Sequence, residues 1–289
     1  MRVAFDMLTP TSLQEALAFL ETNGEKITPV AGGTNLIVDC QSGRHEPRVV
    51  MNVQPLAEIG GIEEKGDFIQ VGGAVTLRAI EQSPLIKEKA NALYRSAIQF
   101  ANPLIRNRAT VGGNLCDASP ASDTATPLLA LGAEVQLSSK KSSRWVPLNE
   151  FFVHVRKTVR KPDELLTAVR WPLMPARSAN TFYKLGLRKA DAISVVSLGV
   201  FIALDADNKI SAARIALGSV APTPIRAYEA EKYLIGKTGS EEVYGEAGSL
   251  AQQACKPISD VRATADYRKE MAAVLVKRLL RESVKQIGA

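Results

Sequence analysis

Two glycine pairs carry the chemistry that can be read from this chain. The first sits in Pro29-Val30-Ala31-Gly32-Gly33-Thr34-Asn35-Leu36 and the second in Ala109-Thr110-Val111-Gly112-Gly113-Asn114, followed by Leu115-Cys116-Asp117 and, nine residues past Asn114, by Asp123. Glycines without Cβ let backbone N–H groups come close to a ligand, while Thr, Ser and Asn add short donors and acceptors. Such a stretch has almost nothing large to bury. By residue type alone each loop reads equally as a small-residue turn or as a cradle for a phosphate. Neither matches the commonest phosphate motifs. No Lys follows the glycines as in GxxxxGK[ST], and the register is not GxGxxG, so a P-loop or Rossmann protein is not indicated.

The other reactive residue types are sparse. The chain has two histidines, His45 and His154, and three widely spaced cysteines, Cys40, Cys116 and Cys255, with no CxxC. A Ser-His-Asp triad, a disulfide framework and a protein-held zinc or iron–sulfur site are therefore not supported. The net charge of +6 is spread along the chain, and its densest cluster, Arg156-Lys157-Thr158-Val159-Arg160-Lys161, runs into Pro162 as a loop would. It has no interleaved aromatics, so nucleic-acid binding is not expected, and an anionic cofactor or an acidic partner accounts for the excess equally well.

The elements that position these loops follow from periodicity. Ser12-Leu13-Gln14-Glu15 matches a capping box, with Leu13, Leu17 and Leu20 on one helical face and Asn23-Gly24 as the stop. A strand over 26–30 then runs into the first glycine pair, a helix or turn covers 36–40, and a second strand covers 49–53, giving a β-loop-α-β unit. A strand over 67–74 closes on a third pair, Gly72-Gly73, read as structural. Helices are expected over 76–81, 93–100 and 126–132, and a hairpin over 135–137 and 144–148. Trp171-Pro172-Leu173-Met174-Pro175 ends a strand, and composition resets there. Two apolar runs, 194–204 and 209–217, then flank Asp205-Ala206-Asp207-Asn208 as a hairpin, and Pro222-Thr223-Pro224 breaks the sheet. A last helix over about 266–284 shows Tyr267, Met271, Val274, Leu275 and Leu279 as its apolar stripe.

With 289 residues, 46% hydrophobic and 23% charged, the chain is an ordinary globular protein with room for about two domains. No apolar run reaches the length of a membrane span, and Met1-Arg2-Val3-Ala4-Phe5-Asp6 lacks a signal-peptide core, which points to a cytoplasmic protein.

Taken jointly, the two glycine loops with their neighbours and Asp123 resemble the FAD-binding (medium) subunit of the molybdenum hydroxylases, the family of xanthine dehydrogenases, carbon monoxide dehydrogenases and aromatic or nicotinate hydroxylases. The resemblance covers essentially the whole chain, including Ala221-Pro222-Thr223-Pro224-Ile225-Arg226. It implies an α+β fold, with a two-subdomain FAD-binding domain of the vanillyl-alcohol-oxidase-like type over 1–175 (subdomains about 1–55 and 56–175) and a smaller α+β C-terminal domain over 176–289. Pro29 to Leu36 would wrap the FAD pyrophosphate with backbone N–H groups, and Thr110 to Asn114 would complete that cradle. Asp123 would fix the ribityl or ribose hydroxyls, Phe100 would lie against the adenine or flavin, and Leu166 and Lys184 would add an apolar and a basic contact. As side chains alone, Phe100 and Leu166 fit a core equally well, and Lys184 fits a solvated charge.

The same resemblance implies an oxidoreductase subunit with no catalytic residues of its own. FAD here would pass electrons from the [2Fe–2S] clusters of a small partner subunit to an acceptor such as NAD. The substrate would be oxidised on a molybdopterin cofactor in a large partner subunit, within a dimer of heterotrimers. Some relatives carry an inserted four-cysteine segment, but this chain has no such insert, and Cys116 is read as a bystander. Two other readings stay open: a self-contained FAD enzyme with its own small substrate, and a nucleotide-binding module without redox chemistry.

Overall fold

A computed structural model describes residues 4–288; the first three residues of the N-terminal segment considered above lie outside the described residues. The chain begins with a three-stranded parallel sheet in the order Asp6–Leu8, Val49–Asn52, Ile27–Val30. The Leu13–Asn23 helix crosses between the first two of these strands in sequence and buries Ala16, Leu17 and Leu20. Ser12 caps it, accepting from the Glu15 N–H at 3.2 Å. The reciprocal half of the capping box is displaced by one residue, because the Glu15 carboxylate accepts from Thr11 N–H (2.7 Å) and Thr11 Oγ1 (2.9 Å). Leu56, Ile59, Ala74 and Leu165 from the following segments complete the apolar core of this first lobe.

A five-stranded antiparallel sheet forms the second lobe, in the order Ile62–Lys65, Phe68–Gly72, Leu165–Pro172, Glu134–Ser138, Ser143–Pro147. Alternate residues such as Ile69 and Val71, Val135 and Leu137, and Val169 and Trp171 bury against the helices Asn91–Gln99, Val111–Cys116 and Ala125–Leu131. Gly72 and Gly73 are structural, as read from sequence. A Cβ on either would overlap a backbone carbonyl, that of Ile59 or of Leu166. The Arg156–Lys161 stretch is not simply a loop. Phe152–His154 and Lys157–Thr158 pair as a small antiparallel hairpin, turned by Val155 and by Arg156, whose φ is +56°.

The remaining chain forms a four-stranded antiparallel sheet, Ser178–Gly186, Ser194–Leu204, Ile210–Gly218, Ile225–Arg226. The break at Pro222-Thr223-Pro224 is therefore an interruption, after which the chain returns as a two-residue edge strand. All eleven residues of Ser194–Leu204 are buried, because this strand is covered on both faces. The Ala265–Ile287 helix lies on one side and the Ala125–Leu131 helix of the second lobe on the other. Gly199 makes the second contact possible, since a Cβ there would sit 2.8 Å from the Thr126 carbonyl oxygen. Arg214 seals the join. Its Nε donates to the Ala130 carbonyl at 2.7 Å, and its guanidinium lies 4.0 Å from the Phe201 ring centroid. A cation at a helix C-terminus is favoured by the exposed carbonyls there.

The stripe expected on the last helix is rotated. Leu275 and Leu279 are buried as expected, but Tyr267 and Val274 are exposed, and the buried face is completed by Ala272, Val276, Leu280 and Val284. Counting only large apolar residues drew the face toward its flank, whereas Ala272 marks where the Glu241–Ala254 helix approaches closely, with Gly248 against Ala273. Leu275→Ala should cost about 2–5 kcal/mol in urea unfolding, and Val274→Ser less than about 0.5 kcal/mol; equal costs would restore the original stripe.

Candidate functional site

The first glycine loop is delivered by the parallel pairing of Ile27–Val30 with Val49–Asn52. Beyond Val30 the chain turns through Gly33, which adopts φ +72°, a conformation that side chains with a Cβ rarely take. The Leu36–Gln41 helix begins at once, with Ile37 N–H donating to the Gly33 carbonyl (3.1 Å) and Asp39 N–H to the Asn35 carbonyl (2.9 Å). Among the described residues, the N–H groups of Gly32, Gly33, Thr34 and Asn35 meet no protein acceptor. Backbone donors are nearly always satisfied, so four successive open ones lining a cleft form an anion-binding nest.

The second loop behaves differently. Thr110 caps the Val111–Cys116 helix by accepting from Gly113 N–H at 3.1 Å. Val111 N–H donates to Val75 O (2.9 Å), Gly112 N–H to Gly73 O (2.9 Å) and Asn114 N–H to Thr110 O (2.9 Å). Four of the five amides from Thr110 to Asn114 are thus engaged within the protein, and among the described residues that of Thr110, which lines the cleft, meets no protein acceptor. Gly112 serves instead to bring this helix onto Gly73, whose oxygen would lie 2.6 Å from a Cβ at Gly112. What the loop presents is the Asn114 carboxamide. Its Oδ1 accepts from Ser122 Oγ (2.7 Å) and Thr124 Oγ1 (2.5 Å), which turns Nδ2 into the donor available to the cleft. The two loops meet backbone to backbone, because a Cβ on Gly32 would overlap the Arg108 carbonyl.

Between them lies a cleft of about 970 Å³, lined by every residue from Pro29 to Leu36 and by Phe100, Thr110, Gly113 and Asn114. This is the upper end of the range for small-molecule sites. Gly112 and Leu166 line a smaller adjoining cavity of about 100 Å³, where Cys116 and Arg160 border both spaces. Val111 lies wholly within the core. Arg44, His45, Arg156, Lys157 and Arg160 also line the main cleft, and these were missed from sequence. Their cluster at 156–161 was visible as charge, but nothing in it showed that the hairpin turns it toward the glycines. Two carboxylates share the wall, and both are held: Asp39 by Arg44 (2.9 Å) and Arg156 (2.6 Å), Asp117 by Arg156 (3.6 Å). Burial pushes the Cys116 thiol up to about 11, which keeps it protonated and inert.

Asp123 and Lys184 are brought together, away from the cleft wall. Lys184 Nζ lies 2.6 Å from Asp123 Oδ2 and 3.4 Å from the Gln99 carbonyl, next to Phe100. Both side chains are buried, so Lys184 is not the solvated charge that its residue type suggests. Asp123 Oδ1 has no donor among the described residues, and is free to accept from a hydroxyl. Burial lifts the Asp123 pKa to about 6 against the pull of Lys184.

Open amides and excess cations suit a diphosphate, Phe100 suits a ring, and the orphaned oxygen of Asp123 suits a hydroxyl, so these residues fit a flavin dinucleotide. Comparison with known proteins agrees. The family described as the FAD binding domain in molybdopterin dehydrogenase matches residues 3–174, and the CO dehydrogenase flavoprotein C-terminal domain matches residues 181–283. The carbon monoxide dehydrogenase medium chain of Afipia carboxidovorans is 30% identical over 95% of each chain. The nicotinate dehydrogenase FAD-subunit of Eubacterium barkeri is 30% identical over 98% of this chain and 97% of its own. A chain of the crystal structure of Cu,Mo-CO dehydrogenase superposes with a TM-score of 0.92 at 30% identity, covering 96% of this chain and 97% of that one. The chain belongs to the family of FAD-binding medium subunits of the molybdenum hydroxylases. It is an α+β flavoprotein subunit of an oxidoreductase, as its glycine loops suggested.

Two outcomes follow from this geometry. Gly33→Val should lose flavin and cost the flavin-free chain about 1–3 kcal/mol through its φ, whereas Gly112→Val should lower the melting temperature further by breaking the contact with Gly73; a Gly112→Val variant as stable as the wild type would contradict that role. The second concerns pH. Because its folded pKa of about 6 lies above the ordinary carboxylate value, Asp123 holds a proton in the folded chain that the unfolded chain releases. Its contribution to stability therefore falls as pH rises from about 4 to about 6 and is level above. Relative to Asp123→Asn, the wild type should lose roughly 3 kcal/mol across that window in chemical unfolding of the flavin-free chains; parallel curves would show that Asp123 does not titrate there.

Proposed function

We propose that this chain carries FAD as the electron-transfer subunit of a molybdenum hydroxylase, between the [2Fe–2S] clusters of a small partner subunit and a terminal acceptor such as NAD or another carrier. The observation that carries this reading is the row of four open amides at Gly32–Asn35 facing a cleft of dinucleotide size. FAD held there would supply the redox chemistry, collecting two electrons one at a time for delivery to the acceptor. The chain's own residues hold it. The first loop takes the diphosphate, Arg44, Lys157 and Arg160 balance its charge, Asn114 Nδ2 adds a donor, and Phe100 and Leu166 offer apolar contact. Asp123, steadied by Lys184, offers an acceptor for a hydroxyl.

The cleft's carboxylates and its thiol are already engaged, which favours a carrier over a self-contained oxidoreductase. Asp39 and Asp117 are ion-paired, Cys116 is protonated, and His45 Nε2 shares a hydrogen bond with Thr28 Oγ1 at 3.3 Å. On this reading residues 1–175 bind the cofactor, in subdomains of about 1–55 and 56–175, and 176–289 form the C-terminal domain. The substrate reacts on a molybdopterin cofactor in a large subunit, and the three unlike chains form a heterotrimer that pairs into a dimer of heterotrimers. Three unpaired cysteines suit the cytoplasm, where thiols stay reduced.

Native purification provides the test. The chain should emerge yellow, with oxidised-flavin absorbance, together with a large molybdenum-containing chain and a small iron–sulfur chain. Substrate of the complex should bleach that absorbance only when all three chains are present. A colourless chain that takes up no added FAD would remove the cofactor from this reading; bleaching by a small substrate of the isolated chain would favour the self-contained enzyme.

A further inference from the structure

Arg156 occupies a position with three unusual properties. It lies at the turn of the 152–158 hairpin, its backbone takes φ +56°, and its guanidinium reaches Asp39 Oδ2 at 2.6 Å and Asp117 Oδ1 at 3.6 Å. Asp39 belongs to the helix that follows the first glycine loop, and Asp117 directly follows the helix that carries the second. One cation thus joins a hairpin from the second lobe to both loops. Its N–H, donating to the Ala118 carbonyl at 3.0 Å, fixes the turn beside Asp117.

The backbone makes a structural explanation insufficient. A left-handed conformation costs an ordinary residue roughly 1–2 kcal/mol, and glycine or asparagine would relieve it. A position that needed only a turn would hold one of those. What arginine adds is charge on Asp39, a carboxylate that is only 7% exposed and shares a cleft wall with the open amides. Left to the exposed Arg44 alone, that carboxylate would be less fully neutralised and would oppose a diphosphate.

We infer that Arg156 is a positioning residue, a clasp that completes the neutralisation of Asp39 beside Arg44, so that it governs how long the dinucleotide stays bound. This rests on FAD being the ligand of the cleft. The clasp acts through Asp39 and Asp117 and needs no contact with the phosphates. Arg44, the other cation on Asp39, comes from the first lobe and cannot bridge the two.

FAD dissociation from the full chain, followed by the gain in flavin fluorescence on dilution, tests this with the wild type, Arg156→Gly, Asp39→Asn and the double variant. Arg156→Gly should release FAD about threefold faster, the scale of a partly exposed ion pair lost beside a charged ligand. Because glycine suits the turn, the flavin-free melting temperature should be unchanged or raised. Asp39→Asn should restore most of the retention lost in Arg156→Gly, since no carboxylate then remains to be covered. Equal dissociation rates in wild type and Arg156→Gly would overturn the clasp while leaving FAD binding intact. So would a faster rate that Asp39→Asn fails to rescue, which would mean that Arg156 touches the phosphates directly. A wild-type chain that takes up no FAD at all would overturn the cofactor reading and the clasp with it.

Discussion

The site depends on a contact that no side chain makes. Gly32 lies against the carbonyl of Arg108 closely enough that a single methyl group would part them, so the two lobes meet as backbone on backbone just ahead of the second glycine loop. Everything that lines the cleft is placed from that point. The first loop leaves its parallel strand with its amides turned outward. The second is pulled onto the antiparallel sheet through Gly112 and Gly73, and the Phe152–Thr158 hairpin spans the gap. A side chain at position 32 would not merely crowd a ligand; it would separate the walls that define the ligand's place.

From this contact follows a division of labour between two loops that look alike in sequence. One keeps its donors open for an anion. The other spends all but that of Thr110 on its own helix and on the chain beneath, and contributes a firm wall with one cleft-facing carboxamide. Electrostatics follow the same economy. Each carboxylate on the wall is answered by arginine, so the cleft presents net positive charge where a diphosphate would lie. The deeper pair, Asp123 with Lys184, is kept out of water beside Gln99 and Phe100 and ties the flavin-binding lobes to the C-terminal sheet.

Much of this was legible in the residues. Ile27–Val30 and Val49–Asn52, the hairpins around Ser139–Ser142 and Asp205–Asn208, and the Ala125–Leu131 helix with Gly132 at its left-handed cap follow local rules of periodicity and turn chemistry, and local rules held. The glycine loops announced a ligand because residues so small have no core to serve. Three things were not legible, each because it depends on partners far away in sequence. The partition of amides between the loops is decided by Val75 and Gly73. The role of the basic run is decided by where a two-stranded hairpin points. Which side of the last helix is buried is decided by a close approach at Gly248 rather than by the largest apolar residues. Lys184 belongs with these, since only its strand register opposite Ser197 and its reach to Asp123 take it out of solvent.

The first lobe, finally, does not own its core. Its apolar centre is small, and Leu56, Ile59, Ala74 and Leu165, which complete it, come from chain that builds the second lobe. A unit assembled this way has little cooperativity of its own. Its stability is therefore borrowed from the larger sheet. In hydrogen exchange its three parallel strands would open before the buried Ser194–Leu204 strand does, and a ligand gripped between the lobes would slow that opening by mass action.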